Sequence, residues 1–198
     1  MKIPVIACIL LSLLSTQAWA TEKQILWGDT HLHTNLSFDA FTNQNFSVGP
    51  DRAYRFARGL PVEHPGHKAR VQIGTPLDFL VISDHAEFLG SVRELYEFGL
   101  PTDGMSIWQK LQVWYGQYLI RDAISKGEGR NFFVSQLPDP YDTPQEAIEA
   151  FDASTSVFPQ IPSVEYRAWH ATADAAAANN IPGTFSAILG WEYSLIPG

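Results

Sequence analysis

Thiols are all but missing from this sequence. Its one cysteine is Cys8, inside the first twenty residues. That segment reads as a removable leader, so the remaining chain has no disulfide and no thiolate metal ligand. Any metal ion must then be held by His, Asp and Glu. Positive side chains are also scarce, with 13 Lys and Arg against 21 Asp and Glu, a net charge of −8. This balance argues against nucleic acid as a partner, because such binding rests on Lys and Arg contacts to phosphate. Acidity fits a protein that holds divalent cations with carboxylates. After residue 20 no apolar run is long enough to span a membrane. There is no G-x-S-x-G nucleophile turn, no P-loop and no G-x-G-x-x-G. No internal repeat, linker or compositionally disordered stretch interrupts the chain.

What is present suits one globular domain: 198 residues, 45% hydrophobic, with six Trp and twelve Phe. Residues 1–20 are not part of it. Lys2 gives a positive start, Ile3 to Leu14 is almost wholly apolar, and Ala18-Trp19-Ala20 is an A-x-A cleavage signal. The segment reads as a secretory signal peptide cut after Ala20, too short to span a bilayer. The expected location is therefore periplasmic or secreted, with residues 21–198 forming the domain.

Gln24-Ile25-Leu26-Trp27 is an apolar, strand-like lead-in to Gly28-Asp29-Thr30-His31-Leu32-His33-Thr34. Residues 34–50 read as loop, and Pro50 to Gly59 as a short helix stopped by the glycine. Residues 60–76, rich in Pro and Gly, read as loop. Leu77 to Ser83 is a near-continuous apolar run, the signature of a buried parallel strand. Residues 91–98 and 104–124 read as helices. In the longer one, Ile107, Leu111, Trp114 and Tyr118 share a face, and Trp108, Trp114, Tyr115 and Tyr118 are expected to pack into the core. Leu137 to Asp142 reads as loop, and Thr143-Pro144-Gln145-Glu146 as a capping box opening a helix to about Phe151. Ser163 is expected to cap another helix, with Val164, Ala168, Ala171, Ala175 and Ala178 as its packing stripe. Thr184 to Trp191 is a third strand. Alternating strands and helices favour an α/β fold with a mostly parallel sheet.

In an extended chain, side chains two apart share a face, so His31 and His33 project side by side and can hold one ion. Asp29 has the same parity and is expected to support a ligating ring from behind. His85 follows the second strand and Glu192 the third, at the strand ends where α/β sites are built. Asp39 follows the first pair in a loop. Asp84, beside His85, is a second candidate ring partner. His64 and His67, in Glu63-His64-Pro65-Gly66-His67, read as a solvated turn, and His170 as a helix-surface histidine.

These pieces in order resemble the DUF3604 family, grouped with the PHP (polymerase and histidinol phosphatase) metallohydrolases. The stretches that carry the likeness are Gly28 to Thr34, Ser37-Phe38-Asp39-Ala40, Asp78 to Gly90 and Gly190-Trp191-Glu192-Tyr193-Ser194. The resemblance implies a distorted (β/α)7 barrel with two or three divalent ions, Zn, Mn or Fe, at its C-terminal face. It implies hydrolysis of a small-molecule phosphoester by metal-activated water. His31, His33, Asp39, His85 and Glu192 correspond to metal ligands, Glu192 bridging ions, with Glu192 and His85 as the catalytic pair. The chain spans about three of the barrel's βα units, so the expectation is its N-terminal part, an incomplete barrel. Two other readings stand beside this one: a metallohydrolase acting on amides or esters, and an inactive fragment that binds metal weakly.

Overall fold

A computed structural model describes residues 23–135, 142–146 and 161–193. The expected signal peptide lies outside these residues, as do most of the 137–142 loop and the helix expected after Glu146. Of the capping box, Glu146 N–H does reach Thr143 Oγ1 at 3.3 Å.

Three strands form one parallel sheet in the order β1 (Gly28–Leu32), β4 (Phe79–Ile82), β5 (Ser186–Leu189). β4 is central because it is the most apolar, and Leu80 and Ile82 are fully buried. Phe79 and Val81, on its other face, are only half-buried, so the sheet is covered on one side rather than two. β1 is the histidine motif itself. The apolar residues ahead of it, Ile25, Leu26 and Trp27, are exposed. β1 and β4 approach closely at Gly28, where a Cβ would meet the Phe79 carbonyl at 2.4 Å. Asp29 pairs with Leu80 but Leu32 with Ile82, so β1 carries one extra residue there.

The first crossover holds α1 (Phe38–Thr42), α2 (Pro50–Ala57) and a small antiparallel pair, β2 (Val62–Glu63) with β3 (Arg70–Val71). The 34–50 and 60–76 stretches are therefore not wholly loop. Polar loop residues of α1 are recruited into a turn of helix because Phe41 packs at 1% exposure against Val92, Leu95, Ile120 and Ile124. α2 begins with Pro at its first position, where the missing N–H costs nothing, and is closed by Gly59 at φ +78°.

The second crossover holds α3 (Ser91–Glu97), α4 (Ile107–Ser125), α5 (Gly129–Val134) and α6 (Pro162–Asn179). α4 opens on a capping box: Gln109 N–H donates to Ser106 Oγ, and Ser106 N–H to Gln109 Oε1 at 2.8 Å. Its aromatic face is not core. Ile107, Trp108, Leu111, Trp114, Tyr115 and Tyr118 are all exposed, and the helix buries only Ile120, Ala123 and Ile124 near its end. α6 is capped by Ile161 without a side-chain bond, and Ser163 lies inside the helix. Its buried stripe is Val164, Ala168, Thr172, Ala175, Ala176 and Asn179, leaving Ala171 and Ala178 exposed. The face turns because Asn179 carries its own partners: it donates to Asp51 and to the Ala175 carbonyl, and accepts from Arg58, each at 2.9 Å. These bonds lock α6 onto α2. Between helices and sheet lies the main core of Ala53, Tyr54, Ala57, Leu80, Ile82, Ala175, Ala176 and Phe185.

Among the described residues the sheet is open at both edges and no barrel closes. No described helix is long and apolar enough to cross a membrane.

Candidate metal centre

The C-terminal ends of the three parallel strands meet in one place. β5 keeps pairing with the chain after β4 beyond its own last residue: Glu192 N–H donates to Asp84 O at 3.0 Å, and Ala86 N–H to Glu192 O at 2.7 Å. This continuation sets Glu192 opposite His85. On the other side, Asp84 accepts from Thr34 N–H and from Thr34 Oγ1, the latter at 2.7 Å. Both residues are buried. That clamp draws the loop after His33 against the loop that carries His85.

His31 Nε2 and His33 Nε2 are 3.1 Å apart, and each lies 2.8 Å from Glu192 Oε2. Donor atoms that share one ion at about 2.0–2.2 Å sit about 2.8–3.6 Å from one another, from octahedral to tetrahedral geometry, so this triangle fits the face of a coordination shell. A second group adjoins it: one ligand atom each from His33, Asp39 and His85, all within 4.8 Å. The rings of His33 and His85 have centroids 4.8 Å apart. All five expected ligands are therefore brought together, from positions up to 161 residues apart.

Protons sharpen the picture. His33 Nδ1 lies 2.8 Å from Asp39 Oδ2. An ionised carboxylate only accepts, so the hydrogen sits on Nδ1, and a neutral ring then turns its Nε2 lone pair on the Glu192 oxygen. Two lone pairs at 2.8 Å repel unless a positive centre stands between them, either a proton or a metal ion. The titration tendencies agree. The Asp39 hydrogen bond raises the His33 pKa, with burial opposing it. Burial works to raise Asp39, but the bonds from His33 and Ser37 outweigh it and hold the carboxyl below the usual range. Burial likewise works against Glu192, and the His31 bond with the charges of His85 and His33 brings it down. Asp84 is raised, chiefly by burial. Beyond burial, Asp39 and Glu192 feel mainly imidazoles and Asp84 mainly Thr34, with no Lys or Arg among the main influences. Such a set suits a bound cation.

Two expected roles fall differently. Asp29 does not support a ring: its Oδ1 accepts from the His31 backbone N–H at 2.9 Å. The extra residue in β1 breaks the two-residue alternation on which that expectation rested. Asp84 holds Thr34, not a ring nitrogen. Asp39 takes the place meant for both, as the carboxylate bonded to His33 Nδ1, while still belonging to the second ligand group. Phe38 stacks on the His85 ring at 4.5 Å and on Phe133 at 4.2 Å, so the helical insert reaches the centre. Sequence reading did not single out Thr34, Ser37 or Glu87, whose Oε2 is 3.8 Å from His85 Nδ1. For Glu87 a signal existed, since it stands two residues beyond His85. His64 and His67 form the expected turn, with His64 Nδ1 accepting from the Gly66 and His67 amides. His170 is exposed on α6 against Tyr166.

Fold and site together define an α/β protein with a parallel sheet and a His/carboxylate cluster, able to hold a cation, at its strand ends. The profile described as "Protein of unknown function (DUF3604)" matches residues 20–198, and the chain belongs to that family. A search of curated proteins and a search of solved structures each return no match.

Proposed function

We propose that this protein is a metal-dependent phosphoesterase of the PHP kind, acting on a small-molecule phosphoester. The observation that carries the reading is the Glu192 oxygen, 2.8 Å from two imidazole nitrogens, with Asp39 2.8 Å from the opposite nitrogen of one of those rings. His31, His33 and Glu192 would hold one ion, and Asp39 and His85 would complete a site for a second or third. When bound, divalent Zn, Mn or Fe there supplies a Lewis acid for a phosphoryl oxygen and acidifies water.

The chain's own residues do the rest. Asp39 keeps the hydrogen on His33 Nδ1, which leaves Nε2 as a donor atom. The Asp84–Thr34 clamp holds the first loop beside the second. Phe38, stacked on His85, restrains the rotation of that ring. Glu192 and His85 pair across the strand ends, and are the residues we assign to catalysis. The open sheet edges and the half-buried second face of β4 support placing this sheet in a (β/α)7 barrel. The signal-peptide pattern of residues 1–20 is the ground for a periplasmic or secreted location, testable by N-terminal sequencing of the exported protein.

The test is metal analysis of the purified protein, followed by hydrolysis of an aryl phosphate and an aryl acetate with and without chelator. Aryl phosphate turnover that chelator abolishes is expected. His33→Ala and Glu192→Gln should each lose about 100-fold or more. Preference for the acetate would move the reading to ester or amide cleavage. Protein that takes up no Zn, Mn or Fe would end it.

A further inference from the structure

We propose that Ser37 is a positioning residue of the candidate centre, tying the Asp39 carboxylate to the His85 backbone; this rests on the metal reading above. Ser37 stands at the N-cap of α1 in the extended conformation an N-cap needs, φ −80° and ψ 134°. A serine there ordinarily turns its oxygen onto an N–H of the first helical turn. Ser106 does so at the head of α4, accepting from Gln109 N–H. Ser37 makes no such bond.

Its hydroxyl points into the site instead. It donates to Asp39 Oδ1 at 2.5 Å and accepts from His85 N–H at 3.2 Å, a residue 48 positions away. The oxygen also lies 3.5 Å from His33 Nδ1. One hydroxyl has one hydrogen and two lone pairs, so the donor goes to the carboxylate and a lone pair to the amide. The residue is fully buried, so water does not substitute for either contact.

The consequence is geometric. With Oδ1 held by Ser37, the carboxylate plane is fixed and Oδ2 is left facing His33 Nδ1 at 2.8 Å and His85 Nε2 at 3.9 Å. The His85 amide is held by the same oxygen. Ser37 thus adds, beside the Asp84–Thr34 clamp, a second tie between the two loops that bring His33, Asp39 and His85 together. A helix cap is given up for that purpose. A local turn accounts for the Ser37–Asp39 bond alone; it does not account for the reach to His85.

Calorimetric titration of the metal-free protein with Zn2+ tests this. Ser37→Ala and Ser37→Gly, the latter well tolerated at an N-cap, should each weaken Zn2+ binding about 10–100-fold, whereas Ser37→Thr, which keeps the hydroxyl, should stay within about threefold of wild type. Unchanged affinity in both hydroxyl-free variants, with His33→Ala still losing uptake, would overturn the role of Ser37 and leave the metal reading standing. A loss that Ser37→Thr fails to restore would also overturn it, since packing and not the hydroxyl would then be responsible. Wild-type protein that takes up no Zn2+, or His33→Ala that binds as tightly as wild type, would overturn the metal reading and Ser37's part in it together.

Discussion

α4 and α6 are nearly the same length, 19 and 18 residues, yet they settle in opposite environments. α4 carries the larger apolar side chains and leaves most of them in solvent. α6 is built from alanines, with Thr172 and Asn179, and is the helix that packs on α2 and the sheet. The difference is one of fit. Small side chains let α6 lie close, as at Gly90, where a Cβ would come within 2.9 Å of Ala168. Its polar members bring hydrogen-bond partners with them. Among the described residues α4 is buried only in its last turns, where Ile120 and Ile124 join the cluster around Phe41. Burial here follows the face a neighbour covers, not the hydrophobicity of the face itself.

The contrast can be broken or sharpened by substitution, read as urea-denaturation midpoints. The largest effect is expected at the centre of the covered region: Ile82→Ala should cost about 4 kcal/mol, because the packed strand cannot collapse around the cavity. Asp84→Ala should come next, at about 2–3 kcal/mol, as two buried donors of Thr34 lose their acceptor. Ala175→Leu adds apolar bulk yet should destabilise by about 2 kcal/mol, since α6 has no room.

Tyr54 offers a pH test of the same core. Its hydroxyl donates to the Ile188 carbonyl at 2.8 Å, and burial, helped by the Asp84 charge, pushes its pKa up to about 12. The folded value thus exceeds the unfolded value of about 10. The neutral phenol's contribution is complete below pH 10 and is lost as pH rises from there through 12. Tyr54→Phe should cost about 1 kcal/mol at pH 8 and show a flatter alkaline decline than wild type. The smallest effect belongs to the open helix: Trp114→Ser should change stability by no more than about 0.5 kcal/mol. A cost there comparable to that of Ala175→Leu would mean that α4 is covered in solution and the contrast is false.

The candidate ligand residues were open to reading in the linear chain, and so were the elements with strong local signals. Strand β4 announces itself by its unbroken apolar run, α2 by its leading proline and closing glycine, and the histidine pair by its spacing. The parallel direction of the three strands followed from the alternation of element types. The ligand candidates followed from what stood at each strand's end.

Other features needed the folded chain. The extra residue in β1 moved Asp29 off the ring it was expected to support, because register is a property of two paired strands. Asp39 bonds His33 because α1 forms, and α1 forms because Phe41 finds a pocket made by α3 and α4. Ser37 gains its second partner from a loop 48 residues on. By itself the sequence determined which donor atoms exist and which strands deliver them, since those are local facts of residue type and period. Only the tertiary structure decided which carboxylate oxygen meets which ring nitrogen and which apolar face is covered, since both depend on contacts between segments far apart in the chain.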